Sequence, residues 1–206
     1  MKPVTPNQIA YHNLLVSKAP LLFATGPAGS GKTLLASYTG AQKLATNQIA
    51  RLVVTRPAVS VDEQHGYLPG TVDQKMEPWT RPIFDALSRF YTQRQINNMM
   101  HDKVIEVCPL AYMRGRTFDN SWIIADEMQN STPNQMKMIL TRIGLNSKMI
   151  VTGDLTQCET GYDENGLIDF LLKIRDSENI KTIQLDSNDI VRSEVVKEIL
   201  KYYPTN

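Results

Sequence analysis

The chain has 206 residues, of which about 42% are apolar and 21% charged, with a formal net charge of +1. That length and balance fit one globular domain with a sizeable core, and the near-neutral charge neither demands nor excludes a nucleic-acid partner. No apolar run reaches the roughly 18 residues of a membrane span, so no membrane partner is expected. The start, "MKPVTPNQIAYHNLL", carries one lysine, two prolines and no long apolar stretch, which is unlike a signal peptide. Cys108 and Cys158 stand 50 residues apart without a CxxC pattern, and read as reduced thiols of a cytoplasmic protein.

In chain order, short apolar runs predict strands at Leu21 to Thr25, Leu52 to Thr55, Val104 to Val107, Trp122 to Asp126, Met149 to Thr152 and Thr182 to Leu185. Several are β-branched and continuous, as strands buried on both faces are. Between them, residues 32 to 45 place Leu34, Leu35, Tyr38, Ala41 and Leu44 at helical spacing. "STPNQMKMILTRIG" predicts a helix capped by Thr132, with Pro133 first, Gln135 closing a capping box and Gly144 as the stop. Residues 189 to 203 read as a closing helix. Residues 56 to 82 lack strong periodicity and read as an insertion over the active site. The alternation predicts an α/β fold, a mostly parallel central sheet flanked by helices, in a single domain over 1–206.

The chemistry begins at "GPAGSGKT", which matches GxxxxGK(S/T) between a strand and a helix. Gly26, Pro27, Ala28, Gly29, Ser30 and Gly31 would curl the backbone around phosphates at a helix start. Lys32 would reach the β- and γ-phosphates, and Thr33 would offer a hydroxyl to Mg²⁺. The fourth apolar run ends in Asp126 and Glu127. Asp126 is the expected metal partner, and Glu127 the general base for an attacking water. A water-activating Glu favours hydrolysis over transfer to a bound acceptor, and the absence of an NKxD pattern favours ATP over GTP. In "VTGDLTQ", Asp154 and Gln157 could sense the γ-phosphate, although a plain polar turn explains Asp154 equally well.

Together, "GPAGSGKT", "TRPAV", "GYLPG", "YMRGRTF", "DEMQN", "QMKMILTRIG" and "VTGDLTQ" resemble the PhoH-like proteins, P-loop ATPases related to the first motor domain of superfamily 1 helicases. The resemblance implies a three-layer RecA-like fold and that Gln129 and Gln157 link nucleotide state to neighbouring elements. It also implies that Gln8 contacts the adenine edge with Tyr11 nearby, whereas Gln8 taken alone reads as an exposed polar residue. Met128 stands where a small residue is usual, Ser193 where a histidine is common and His65 at a usually apolar position.

Phosphoryl transfer wants an arginine beyond Lys32 and Mg²⁺. Arg114, Arg116 and Arg192 are the leading candidates, with Arg56, Arg81 and Arg142 behind them. The Arg114–Gly115–Arg116 array could face ATP in a neighbouring subunit or a nucleic-acid backbone. Room for one motor domain only, together with the resemblance, implies a homo-oligomer, a hexameric ring, acting on single-stranded RNA or DNA. Trp79, Arg81, Tyr112 and Arg114 are candidates for that strand. The alternatives are an ATP-dependent switch that binds a protein partner and, behind it, a small-molecule kinase.

Overall fold

The computed structural model describes residues 2–57, 81–157, 165–191 and 195. Six strands form one sheet, and every pairing is parallel: β1 (Leu21–Thr25), β2 (Arg51–Arg56), β3 (Ile105–Pro109), β4 (Ser121–Ala125), β5 (Lys148–Gly153) and β6 (Ile180–Gln184). Their order is β3-β2-β4-β5-β1-β6. All six stand where the sequence places them, with ends shifted by one or two residues. The inner strands β1, β4 and β5 are buried throughout, while edge strand β6 is largely open.

Around the sheet lie α1 (Pro6–Val16), α2 (Lys32–Ala45), α3 (81–87), α4 (Gln93–His101), α5 (Pro133–Leu140) and α6 (Gly166–Lys173). They divide the core into two apolar layers. One packs Tyr11, Leu15, Leu35 and Leu44 against Leu22, Leu52 and Trp122; the other packs Met136, Ile139 and Leu167 against Phe23, Ile123 and Val151. This is the three-layer RecA-like arrangement of parallel strands between helices. Trp122 ties α2 to β4 by donating its indole N–H to the Ala36 carbonyl at 3.1 Å. Met128 fills the second layer and is fully buried, which gives a large residue at that position its packing role.

The Thr132–Gln135 capping box forms as expected. The sequence carries the same four residues at Thr5–Pro6–Asn7–Gln8, and they open α1 with a second such box. Helices α1, α3, α4 and α6 stand outside the sequence expectations; α4 has few apolar positions, whereas α6 is short and largely apolar, like a strand run. Gly144 is not the stop of α5, which ends at Leu140. A Cβ there would lie 2.1 Å from Asp119 Oδ1 and 2.6 Å from the Phe118 carbonyl oxygen, so close approach selects glycine. The closing helix does not begin at 189: residues 187–189 form a 3₁₀ turn, and the stretch from 192 onward, Val195 apart, lies outside the described residues. Of the expected insertion, Arg56 ends β2, residues 81 and 82 are helical, and 58–80 lie outside the described residues. Cys158 lies outside them too. Cys108 is a free thiol, and burial beside Glu106 pushes it up to about 11.

Lys148 closes the far end of α1. Its ammonium donates to the Leu14 carbonyl at 2.6 Å and the Ser17 carbonyl at 3.0 Å. Burial, then the nearby Lys43 charge, lowers its pKa to about 8 from the ordinary 10.5. Between those two values the unfolded chain holds more protons than the folded one, so this group makes stability rise with pH there. The expected outcome in urea titrations is that wild-type stability minus that of Lys148→Met climbs from pH 8 to 10. A flat difference would remove the buried charge from the account.

Candidate functional site

The site gathers at the C-terminal ends of the strands, where the loop 26–33 joins β1 to α2. Gly26 lies against the chain leaving β6, and a Cβ on it would meet the Leu185 carbonyl oxygen at 2.4 Å. With φ at +141° as well, only glycine fits there. The Gly26 N–H donates to the Gly153 carbonyl at 3.2 Å, which pins the loop to β5. Gly31 caps α2 in the left-handed region, so the helix starts at Lys32.

Lys32 folds back over its own loop. Its Nζ donates to the Gly26 and Pro27 carbonyls at 2.6 and 2.8 Å, and to Ser30 Oγ at 3.4 Å. Burial lowers its pKa, while Asp154, Glu127 and Asp126, in that order, pull it back up. The three carboxylates thus favour the charged ammonium, while its hydrogen bonds go to its own loop. Ala28 and Gly29 are exposed at the loop tip, and Ser30 is buried with its hydroxyl on the Pro27 carbonyl.

Asp126 joins the loop to the sheet. Its Oδ1 accepts from Thr33 Oγ1 at 2.6 Å and also from the buried Thr152 Oγ1. A carboxylate and a hydroxyl in contact at the start of a phosphate-loop helix are a hard oxygen pair that suits Mg²⁺. The sequence reading missed Thr152, taking it only as the end of a strand. A hydroxyl at the close of an apolar run was the available signal.

Glu127 adopts left-handed backbone angles, φ +53° and ψ +39°, uncommon for a residue with a side chain and concentrated at functional sites. Gln129 holds it: Nε2 donates to Glu127 Oε2 at 2.5 Å, and Oε1 accepts from the Asp154 N–H at 3.0 Å. One amide therefore bridges the acid pair to the turn after β5. Gly153 makes room for it, since a Cβ there would lie 2.9 Å from Gln129 Oε1 and 2.5 Å from Leu167 Cδ2.

Asp154 is 4% exposed. Its Oδ1 accepts from the Thr156 N–H and hydroxyl, and its Oδ2 has no hydrogen-bond partner among the described residues. The Asp154 carboxylate thus forms a polar turn with Thr156. Gln157 is exposed and closes the turn by donating its N–H to the Asp154 carbonyl at 3.3 Å.

Three expectations need correction. Tyr11 is fully buried behind the loop, with its hydroxyl donating to the Lys32 carbonyl at 3.1 Å, so its ring has no face for a base. Gln8 is not an exposed terminal residue; it is 7% exposed and bonds the loop directly. Arg116 is not a free donor. It pairs with both oxygens of Glu106 at 2.8 Å and stacks over Phe118.

Arg114 is exposed in the turn after β3, beside exposed Tyr112. β3 is an edge strand, two strand positions from β4, whose following residue Asp126 meets Thr33 of the loop. Arg142 bonds the Met138 and Arg116 carbonyls, and Arg192 lies outside the described residues.

The PhoH-like protein family matches residues 1–204. A PhoH-like protein of Synechocystis is 46% identical over 189 residues, 91% of this chain and 58% of that protein. A PhoH-like protein of Mycobacterium tuberculosis is 43% identical over 98% of the chain and 58% of its own length. Protein PhoH of Escherichia coli is 39% identical over 95% of the chain and 56% of its own length. The chain thus spans a little more than half of the curated relatives it matches. Among solved structures, the large terminase from a thermophilic bacteriophage superposes on the whole chain and 51% of its own, with a TM-score of 0.63 at 11% identity. That likeness is one of fold.

Thr152 offers a test of the site. In Thr152→Val, Asp126 keeps Thr33 and loses its second hydroxyl. Nucleotide affinity with Mg²⁺ present is expected to fall about tenfold, near one charge-assisted hydrogen bond, while affinity in EDTA holds. A fluorescent-nucleotide titration reads both, and an equal fall in both conditions would refute the role given to Thr152.

Proposed function

Because the chain belongs to the PhoH-like protein family, we propose that it binds ATP with Mg²⁺ at the 26–33 loop and hydrolyses it, working as a homo-oligomer on single-stranded nucleic acid. The observation that carries the nucleotide reading is the contact of Thr33 with Asp126 beside a Lys32 folded over the 26–33 loop. Thr33 and Asp126 would hold Mg²⁺, which when bound neutralises phosphate charge. Lys32 leaves the Gly26 and Pro27 carbonyls for the β- and γ-phosphates. Glu127 orients the attacking water and takes its proton, and Gln129 fixes the carboxylate that does so.

Arg114 is the arginine proposed to act beyond its own subunit. It is exposed at the edge of the sheet, so a neighbour's triphosphate or a strand's phosphate is its proposed target. Exposed Tyr112 beside it offers a ring on which a base can stack, which supports a single strand as the partner. A head-to-tail contact that presents Arg114 to the next loop can close a ring, and the family resemblance favours six subunits. The protein lacks, among its described residues, any helix long and apolar enough to cross a membrane.

Glu127→Gln is expected to bind ATP as wild type does and to turn it over 10²- to 10⁴-fold more slowly. Added single-stranded RNA should raise wild-type turnover. If RNA neither binds nor stimulates, an ATP-dependent protein-binding switch replaces the motor. If Glu127→Gln hydrolyses at the wild-type rate, Glu127 is not the base.

For the assembly, native mass spectrometry with a non-hydrolysable ATP analogue should show multiples of the chain. Arg114→Ala should slow turnover without changing that mass. A strict monomer with full activity would overturn the trans arginine.

A further inference from the structure

The phosphate loop occupies the C-terminal ends of the strands. At their N-terminal ends lies a hollow of about 500 Å³, bordered by the α1–β1 turn, the end of α2 and the turn before β5. Pro20, Trp122 and Lys148, which stand at the starts of β1, β4 and β5, line it. Three lysines border it: Lys18 from the α1–β1 turn, Lys43 from the last turn of α2, and Lys148. Among the described residues no Asp or Glu lines it. Asp119 lies beside Gly144 on the rim, and its Oδ1 is taken by the Leu145 N–H at 2.7 Å.

Lys148 is 8% exposed. Besides the Leu14 and Ser17 carbonyls, its ammonium reaches Ser17 Oγ at 3.4 Å, so its three donors meet three neutral oxygens. The charge that adds to its desolvation is a second cation, Lys43. Lys43 lies 5.8 Å from the centre of the Trp122 ring and donates to Gln48 Oε1 at 3.1 Å. Lys18 is exposed. None of the ion pairs among the described residues includes any of the three. A buried cation is ordinarily paired with an anion. The carbonyl end of α1 supplies roughly half a negative charge, against three positive ones. The hollow is therefore short of negative charge on the side that opens to solvent.

We propose that this hollow is a second anion site, which takes a small phosphate-bearing ligand at the edge of the sheet opposite the 26–33 loop. Ammonium groups act as point charges and can approach a tetrahedral phosphate from several sides, whereas a planar carboxylate is matched by the fork of an arginine. Lys18 and Lys43 donate to the phosphate, joined by the Gln48 amide nitrogen, which has no partner among the described residues. Lys148 stays on α1 and contributes its charge from within. Inorganic phosphate and the phosphomonoester of a nucleotide present the same dianion to these groups. The site stands independently of the ATP reading, since it shares no residue with the phosphate loop.

Pyrophosphate, phosphate and AMP are titrated by calorimetry into the full chain carrying Lys32→Ala, and into the same chain with Lys18→Gln and Lys43→Gln added. Pyrophosphate is expected to bind the first and to bind the second about tenfold more weakly. Melting temperatures without ligand check that both chains are folded. AMP binding more tightly than phosphate would identify a nucleotide as the ligand, and equal binding the inorganic ion; either result supports the site. A second readout is the Lys148 side-chain NMR signal followed through pH. Phosphate at saturation should move its titration above about 8, because a bound dianion favours the charged ammonium. Equal pyrophosphate affinity in the two chains, binding to neither, or a Lys148 titration that phosphate leaves in place would each overturn the assignment. ATP binding by the wild-type chain tests the phosphate loop separately.

Discussion

The contact of Asp126 with two hydroxyls organises this molecule's working edge. One oxygen accepts from Thr33 on α2 and from Thr152 on β5, while Asp126 itself closes β4. β5 separates β4 from β1, so the phosphate loop and the acid that serves it are not neighbours in the sheet. The first turn of α2 has to reach across that strand. A buried carboxylate tolerates its desolvation only with donors around it, and here the donors are the very groups that span the gap. The same constraint explains why β5 ends in Thr-Gly-Asp. Thr152 holds one acid directly, Gly153 gives Gln129 room, and the Asp154 N–H holds Gln129 against Glu127.

Much of this was legible from the residues alone, for reasons that can be named. The strands announced themselves because parallel strands buried on both faces are written as unbroken apolar runs. The phosphate loop, Asp126 and Glu127 were readable because their chemistry fixes both residue type and spacing. What escaped was whatever depends on contacts between distant segments. Thr5–Gln8 and Thr132–Gln135 are the same four letters, yet one glutamine faces solvent and the other is buried against the loop. Nothing local separates them; the difference comes from what β6 and the 186–190 turn place beside α1. Arg116 and Arg114 likewise look equivalent around Gly115. Only Arg116 comes within reach of Glu106, because the chain turns back along the edge strand after residue 115.

Tyr11 shows how burial rewrites a role. The resemblance places Tyr11 near the base, and its ring sits wholly inside the first core layer with its hydroxyl on the Lys32 carbonyl. Burial and the Asp126 charge hold the phenol well above its ordinary range, so it stays a neutral donor. The result is a rigid seat for the start of α2, reached from behind, while Gln8 steadies the loop from the side.

The strand order also governs when the site can exist during synthesis. β1 comes first in the chain, yet both of its sheet neighbours, β5 and β6, lie beyond residue 147. A nascent chain that has already displayed its glycine-rich turn has no strand to pair with β1 and no Leu185 beneath Gly26. Pairings so far apart in sequence are slow to find one another. The first strand of this sheet in chain order is therefore among the last to acquire its native neighbours, and the loop after it gains its seat against Leu185 only once β6 is in place.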